Sequence, residues 1–266
     1  MWKIISLFAW VFFVTSCGIS KFEVEHSNSL DLKGEESPMY DFAVVIYDLK
    51  TKQHFSYNDS LLQVPFTPAS TFKIPNTLIG LETKVLTDSS TKLDLTQIDN
   101  PSLTQAFQRS IVVYYQELAK RIGEENMQTY LHRFHYGNEK ISPELTSFWL
   151  KGDLRLSALD QIEFLYKIEK QQLGLRPSTY QTLMEIFELR PSDPFKLYGK
   201  TGWGMQDGKD IGWFVGFAQW GNSRYLFATV MTSPEELYGK FDFGNKRIDL
   251  TKKAFKRFFE SANFGK

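Results

Sequence analysis

Ser70-Thr71-Phe72-Lys73 offers a hydroxyl nucleophile and an amine three residues apart, and Lys200-Thr201-Gly202 brings a second lysine far downstream, with no obvious histidine partner for the serine. On a helix, residues three apart share a face, so the Lys73 amine can reach the Ser70 hydroxyl and, when neutral, take its proton. The chemistry this predicts is serine acylation without a catalytic triad. Pro68 and Ala69 precede the serine, and the apolar run Phe72, Ile74, Leu78, Ile79 follows it. That pattern predicts Ser70 on the first turn of a buried helix, where free N–H groups and the positive dipole end favour a developing oxyanion.

Spacing alone is weak. Ser89-Ser90-Thr91-Lys92 repeats it, but follows Thr87-Asp88 in a polar stretch that reads as a turn, so one of the two matches is accidental. Lys200-Thr201-Gly202 occurs once, after the strand-like Phe195 to Tyr198, and its glycine is expected to let substrate backbone approach closely. Standing alone it would read as a strand-end turn with a solvated lysine. Ser110-Ile111-Val112 lies inside a helical repeat of Phe107, Ile111, Tyr115, Leu118 and Ile122, and Tyr136-Gly137-Asn138 closes the next helix at Phe134. Phe243-Gly244-Asn245 nearly copies the latter, so Tyr136-Gly137-Asn138 alone reads as a glycine C-cap. The ordered set carries the signal.

With that set in view, the chain resembles the class D (oxacillinase-type) serine β-lactamases of the penicillin-recognising superfamily. The resemblance covers Pro68 to Asn76 with Gly80-Leu81-Glu82, the Ser-x-Val triplet at Ser110, and Tyr136-Gly137-Asn138. It continues through Phe148-Trp149-Leu150 with Leu154-Arg155-Leu156-Ser157, Lys200-Thr201-Gly202, and Gly212-Trp213-Phe214-Val215-Gly216. Class A relatives carry Ser-Asp-Asn where this chain has Ser-Ile-Val, which places it in the class D subclass.

The resemblance implies roles residue by residue. Ser70 is the nucleophile, and Lys73, expected beside the apolar Val112, carries carbon dioxide as an N-carboxylated lysine that serves as general base for both acylation and deacylation. Desolvation penalises a buried ammonium, which frees the amine for that reaction. Trp149 is implied as the donor to a carbamate oxygen, since an indole N–H only donates; core filling is its commoner fate. Ser110 relays a proton to the leaving β-lactam nitrogen with Lys200 assisting. Backbone N–H groups of Ser70 and Trp203 form the oxyanion hole. Tyr136, Thr201, Gly202 and Arg247 belong to the substrate-binding set, with Thr201 and Arg247 holding the antibiotic carboxylate. Lys246, beside Arg247, is the competing assignment.

The 266 residues carry a formal net charge of zero and are 42% hydrophobic, which suits one large domain or two intimate lobes and gives no electrostatic case for nucleic acid. His132 and His135 share a helix face, but without a third ligand pattern no metal is expected. Lys3 followed by the apolar run Ile4 to Val14 reads as a secretory signal, too short to span a membrane. Val14-Thr15-Ser16-Cys17 resembles a bacterial lipobox at the sole cysteine. The expected organisation is a lipoprotein-type signal peptide over 1–16, a lipidated Cys17 with a polar tether over 17–38, and a catalytic domain over 39–266. The protein is then exported and held at a bacterial membrane, periplasmic or on the cell surface, by its lipid anchor, with β-lactams as small-molecule partners and no obligatory protein partner.

The expected fold is α+β, a central antiparallel sheet flanked by helices with an all-helical lobe. Strands are predicted at Phe42 to Asp48, His54 to Tyr57, Ile211 to Trp220 and Tyr225 to Thr232, early and late ones sharing one sheet. Helices are predicted at Ser70 to Glu82, Gln105 to Ile122, Glu125 to Phe134, Ser157 to Glu169, Ser178 to Glu188 and Arg247 to Glu260, and Met205 to Asp210 as a short loop. Two other functions stay open: a penicillin sensor that keeps its acyl group, and a cell-wall D-Ala-D-Ala peptidase.

Overall fold

The computed structural model describes residues 27–96, 99–187, 189–192, 195–234 and 243–261. The signal segment, Cys17 and the tether through His26 lie outside the described residues. Seven strands form one sheet: β1 (Ser27–Ser29), β2 (Asp41–Asp48), β3 (His54–Tyr57), β4 (Leu189–Ser192), β5 (Phe195–Gln206), β6 (Lys209–Trp220) and β7 (Ser223–Thr232). Their order is β1-β3-β2-β7-β6-β5-β4. All neighbours are antiparallel except β1, which runs parallel to β3. Early β2 pairs with late β7 from Asp41↔Thr232 to Asp48↔Tyr225, closing the two chain ends into one sheet.

Eight α-helices are described: α1 (Asp59–Leu62), α2 (Lys73–Glu82), α3 (Leu103–Gln108), α4 (Val112–Ile122), α5 (Glu124–Phe134), α6 (Ala158–Glu169), α7 (Pro177–Ile186) and α8 (Phe243–Ser261). The sheet is covered on both faces, which is why β2 reads as a continuous apolar run instead of an alternating one. Ala43, Val45 and Tyr47 point into the core shared with the helical lobe, while Phe42, Val44 and Ile46 join Phe255 and Phe258 of α8 on the other side. Helix α6 opens with a capping box, Ser157 Oγ accepting from the Asp160 N–H and the Asp160 carboxylate accepting from the Ser157 N–H.

Three expectations change. The single helix predicted from Gln105 to Ile122 is two, broken at Ser110, which adopts φ 57°. The Ser110 N–H bonds to the Phe107 carbonyl and the Ile111 N–H to the Ala106 carbonyl, the double bond of a Schellman ending with Ser110 at its left-handed position. The Phe107 to Ile111 spacing hides this break because it fits a continuous helical repeat, while the Ile111 N–H reaches back to Ala106. The expected loop from Met205 to Asp210 is a hairpin continuing β5 into β6, with only Asp207 (φ 52°) and Gly208 (φ 75°) outside the ladder.

The described part of the expected tether is also bound into the domain. Leu30 and Leu32 are buried against α8 and β2, β1 adds to the sheet edge, and Glu35 pairs with Lys253 at 2.6 Å. Two apolar residues among many polar ones are a faint signal in sequence but enough to seat a strand on a waiting edge.

Candidate active site

Ser70 lies on a 3-10 turn, Ala69–Phe72, that runs directly into α2. The turn begins with Ala69 at φ 48°, an uncommon conformation for a side-chain-bearing residue, and is pinned by Thr71 Oγ1 donating to the Pro68 carbonyl at 2.8 Å. The tighter 3-10 winding brings residues three apart nearly into line, so Lys73 Nζ stands 2.8 Å from Ser70 Oγ. Lys73 is fully buried, and desolvation pulls its pKa down to about 7. Burial thus favours the free amine beside the Ser70 hydroxyl.

An aromatic shell produces that burial. The Tyr115 ring lies 5.2 Å from Lys73 Nζ, and Phe72 stacks on Trp149 with centroids 5.1 Å apart. Val112, expected as the apolar wall, opens α4 and is 36% exposed. Tyr115, three residues on along the same helix face, is fully buried and provides the enclosed surface. By sequence Tyr115 is one member of a helical core repeat, and its i+3 relation to Val112 is the signal that places it at the site.

Trp149 is fully buried, and its indole N–H has no hydrogen-bond partner among the described residues. Such a donor normally finds an acceptor, so this one marks a place for an additional oxygen. Tyr136 does not line the cleft: it is 1% exposed and packs edge-on against Phe72 and Phe164. Burial pushes its phenol pKa upward, which suits support of the Ser70 turn and not contact with a substrate. The helix before it ends on His135, the left-handed residue, instead of the expected glycine. Gly137 is needed separately, since a Cβ there would stand 2.2 Å from the Arg155 carbonyl. Asn138 then exchanges bonds with Arg155 and Asp153, tying this corner to the segment carrying Trp149.

Lys200 and Ser110 come from distant parts of the chain. Lys200 Nζ donates to Ser110 Oγ and to the Thr201 carbonyl, each at 3.0 Å. The left-handed Ser110 thus spends backbone strain at the position where its hydroxyl meets the β5 lysine. Gly202 also has close neighbours within the protein: a Cβ there would lie 3.0 Å from the Pro68 carbonyl and 3.2 Å from Thr71 Cγ2. Its lack of a side chain lets β5 press against the Ser70 turn, bringing the Trp203 main chain alongside.

Arg247 is buried in α8 and donates from Nη1 to the Gly202 carbonyl at 2.9 Å. Lys246 faces elsewhere, toward Glu35 at 3.7 Å and over the Tyr40 ring at 5.2 Å. Of the two adjacent cations, only Arg247 reaches the Lys-Thr-Gly strand. Trp203 is 45% exposed, and its indole donates to Asp210 on β6 at 2.9 Å. His132 and His135 both turn to Glu139, and no group able to hold a metal occurs among the described residues.

A serine on a helical turn, a neutralised lysine beneath it and a second lysine–serine pair across the cleft define a serine acyl-transfer site that works without histidine. Residues 42–259 match the family described as the penicillin binding protein transpeptidase domain. A probable β-lactamase, YbxI of Bacillus subtilis, is 32% identical over 94% of this chain and 97% of its own. β-Lactamase OXA-48 of Klebsiella pneumoniae is 35% identical over 72% of this chain and 75% of its own. The class D YbXI crystal structure from Nostoc superposes with a TM-score of 0.76 at 31% identity, covering 82% of this chain and 94% of that one. The chain belongs to the penicillin-binding transpeptidase-domain family, and within it to the class D β-lactamases.

Proposed function

We propose that this protein hydrolyses β-lactam antibiotics through an acyl-enzyme on Ser70 and thereby confers resistance to them. The observation that carries the reading is the buried Lys73 amine, 2.8 Å from Ser70 Oγ with its pKa near 7. Ser70 Oγ gives up its proton on the Lys73 side and attacks the lactam carbonyl carbon, the ring C–N bond breaks, and the nitrogen takes a proton from Ser110. Lys200, 3.0 Å from Ser110 Oγ, resupplies it. The Ser70 and Trp203 N–H groups receive the oxyanion. Arg247 and Thr201, on either side of Gly202, take the substrate carboxylate.

Release of the acyl group needs a base for water. An N-carboxylated Lys73, formed from the neutral amine and carbon dioxide, supplies that general base. Two features support it: burial lowers the Lys73 pKa and favours its neutral amine, and the Trp149 indole N–H has no acceptor among the described residues. We further propose that Cys17 is lipidated after removal of residues 1–16, anchoring an exported enzyme to a bacterial membrane.

A second reading has one specific support, the 32% identity over 73% of this chain to the regulatory protein BlaR1 of Bacillus licheniformis, although only 34% of that protein is covered. In it, Ser70 is acylated and the acyl group stays. Purified protein mixed with benzylpenicillin and a chromogenic cephalosporin separates the two. Multiple turnovers support hydrolysis; one equivalent consumed per protein supports the second reading.

A further inference from the structure

Thr67, which the family motifs do not include, joins three parts of the site. It is 1% exposed and uses every polar atom it has. Its N–H donates to Gln206 Oε1 at 2.9 Å, its carbonyl accepts from Trp213 Nε1 at 2.9 Å, and its hydroxyl donates to the Trp149 carbonyl at 3.1 Å. The first two bonds use main-chain atoms and would survive most substitutions. The third requires a hydroxyl.

Little slack separates Thr67 from the nucleophile. Pro68 has its φ fixed by its ring, Ala69 is held at φ 48°, and the 3-10 turn follows at once. Two strands clamp Thr67 through Gln206 and Trp213, and its hydroxyl fastens the Trp149 main chain to that clamp. The Ser70–Lys73 distance is set inside one turn and does not depend on Trp149. The position of the Trp149 indole relative to that turn does, because Trp149 arrives on a different segment.

We propose that Thr67 is a positioning residue for the hydrolytic half of the reaction: its hydroxyl holds Trp149 so that the unpartnered indole N–H stands where an oxygen on Lys73 needs it. The inference rests on the reading of Lys73 as carboxylated. Losing the hydroxyl leaves the Trp149 carbonyl without its buried donor, and the segment shifts to satisfy it. Acylation of Ser70 is spared, because the free Lys73 amine 2.8 Å from Ser70 Oγ can still take its proton, while carbon dioxide is held less firmly and release of the acyl group slows.

The test compares T67V, which keeps shape and loses the hydroxyl, with T67S, which does the reverse, in the full chain. Carbon-13 NMR with labelled bicarbonate reads the lysine carbamate directly, and stopped-flow kinetics separate the acylation burst from steady turnover. T67V is expected to keep its burst rate within about threefold, to need about tenfold more bicarbonate for half-occupancy, and to lose about tenfold in kcat. T67S is expected to restore all three. Should T67V fail to fold, T67A against T67S makes the same comparison between two small side chains. Equal bicarbonate titrations for the hydroxyl-bearing and hydroxyl-free variants, with only thermal stability lowered, overturn the proposal. A wild-type enzyme with no carbamate signal overturns the carboxylated-lysine reading itself and this inference with it.

Discussion

Lys73 is fully buried with its amine 2.8 Å from Ser70 Oγ, whereas Lys92, at the same spacing from Ser89, is exposed just past a surface turn, in a single β-bridge to Ser102. Around Ser70 the neighbours are a strained Ala69, a pressed β-strand and a shell of aromatic rings. Around Ser89 they are hydrogen bonds of a local turn: Asp88 accepts from the Ser90 N–H and hydroxyl, and the Ser89 carbonyl accepts from Thr104. Desolvation pulls the Lys73 pKa down, favouring its free amine, whereas the Lys92 side chain stands in solvent. The difference teaches that Ser-x-x-Lys becomes chemistry only where burial makes the lysine a base.

The largest expected effect breaks the symmetry outright. S70A is expected to show no penicilloyl adduct by intact-protein mass spectrometry, while S89A forms it at the wild-type rate. An adduct persisting in S70A would remove the nucleophile assignment.

Opening the shell around Lys73 should make it behave more like Lys92. In W149A, water enters and the protonated amine is favoured, so acylation proceeds and release fails. The expected result is a burst followed by accumulated acyl-enzyme, with kcat down on the order of 100-fold, the size of a general-base contribution.

The two lysines should also differ in their effect on stability. Lys73 has a folded-state pKa near 7 against 10.5 for the ordinary side chain. Between those values the unfolded chain binds more protons than the folded one, so stability rises with pH across that window and its penalty is complete below about pH 7. In carbon-dioxide-free buffer, denaturant unfolding is expected to gain on the order of a few kcal/mol from pH 7 to pH 10. K73M should flatten that slope and K92M should leave it unchanged.

A smaller contrast lies between adjacent cations. R247A is expected to cost about 1.5–3 kcal/mol in kcat/KM for carboxylate-bearing β-lactams, chiefly through KM, the size of a hydrogen bond to a charged group. K246A, whose side chain serves Glu35 and Tyr40, should leave kcat/KM unchanged. The reverse outcome would move the carboxylate-binding role to Lys246.

Much of this was legible in the sequence because its patterns are local. The buried β2 run, the Ser157 capping box and the amphipathic α8 each declare themselves within a few residues, and the motif order brought Ser70, Ser110 and Lys200 into one cleft. What stayed hidden depends on distant partners. Ser110's break in the helix is masked because Ile111 satisfies both a continuous repeat and a Schellman ending. Thr67 reads as a loop residue until Gln206, Trp213 and Trp149 arrive around it. Tyr136 belongs to a motif suggesting the cleft, yet lies behind it, since a motif records that a residue is needed and not which face it serves. Leu30 and Leu32 gain their meaning only from an open sheet edge and from α8.

The most direct test of the central claim follows wild-type protein with excess benzylpenicillin in bicarbonate buffer, by intact mass and by counting antibiotic consumed. A penicilloyl adduct on Ser70 is expected to form, clear and re-form while many equivalents are hydrolysed. One equivalent consumed, with an adduct that persists despite bicarbonate, would contradict it.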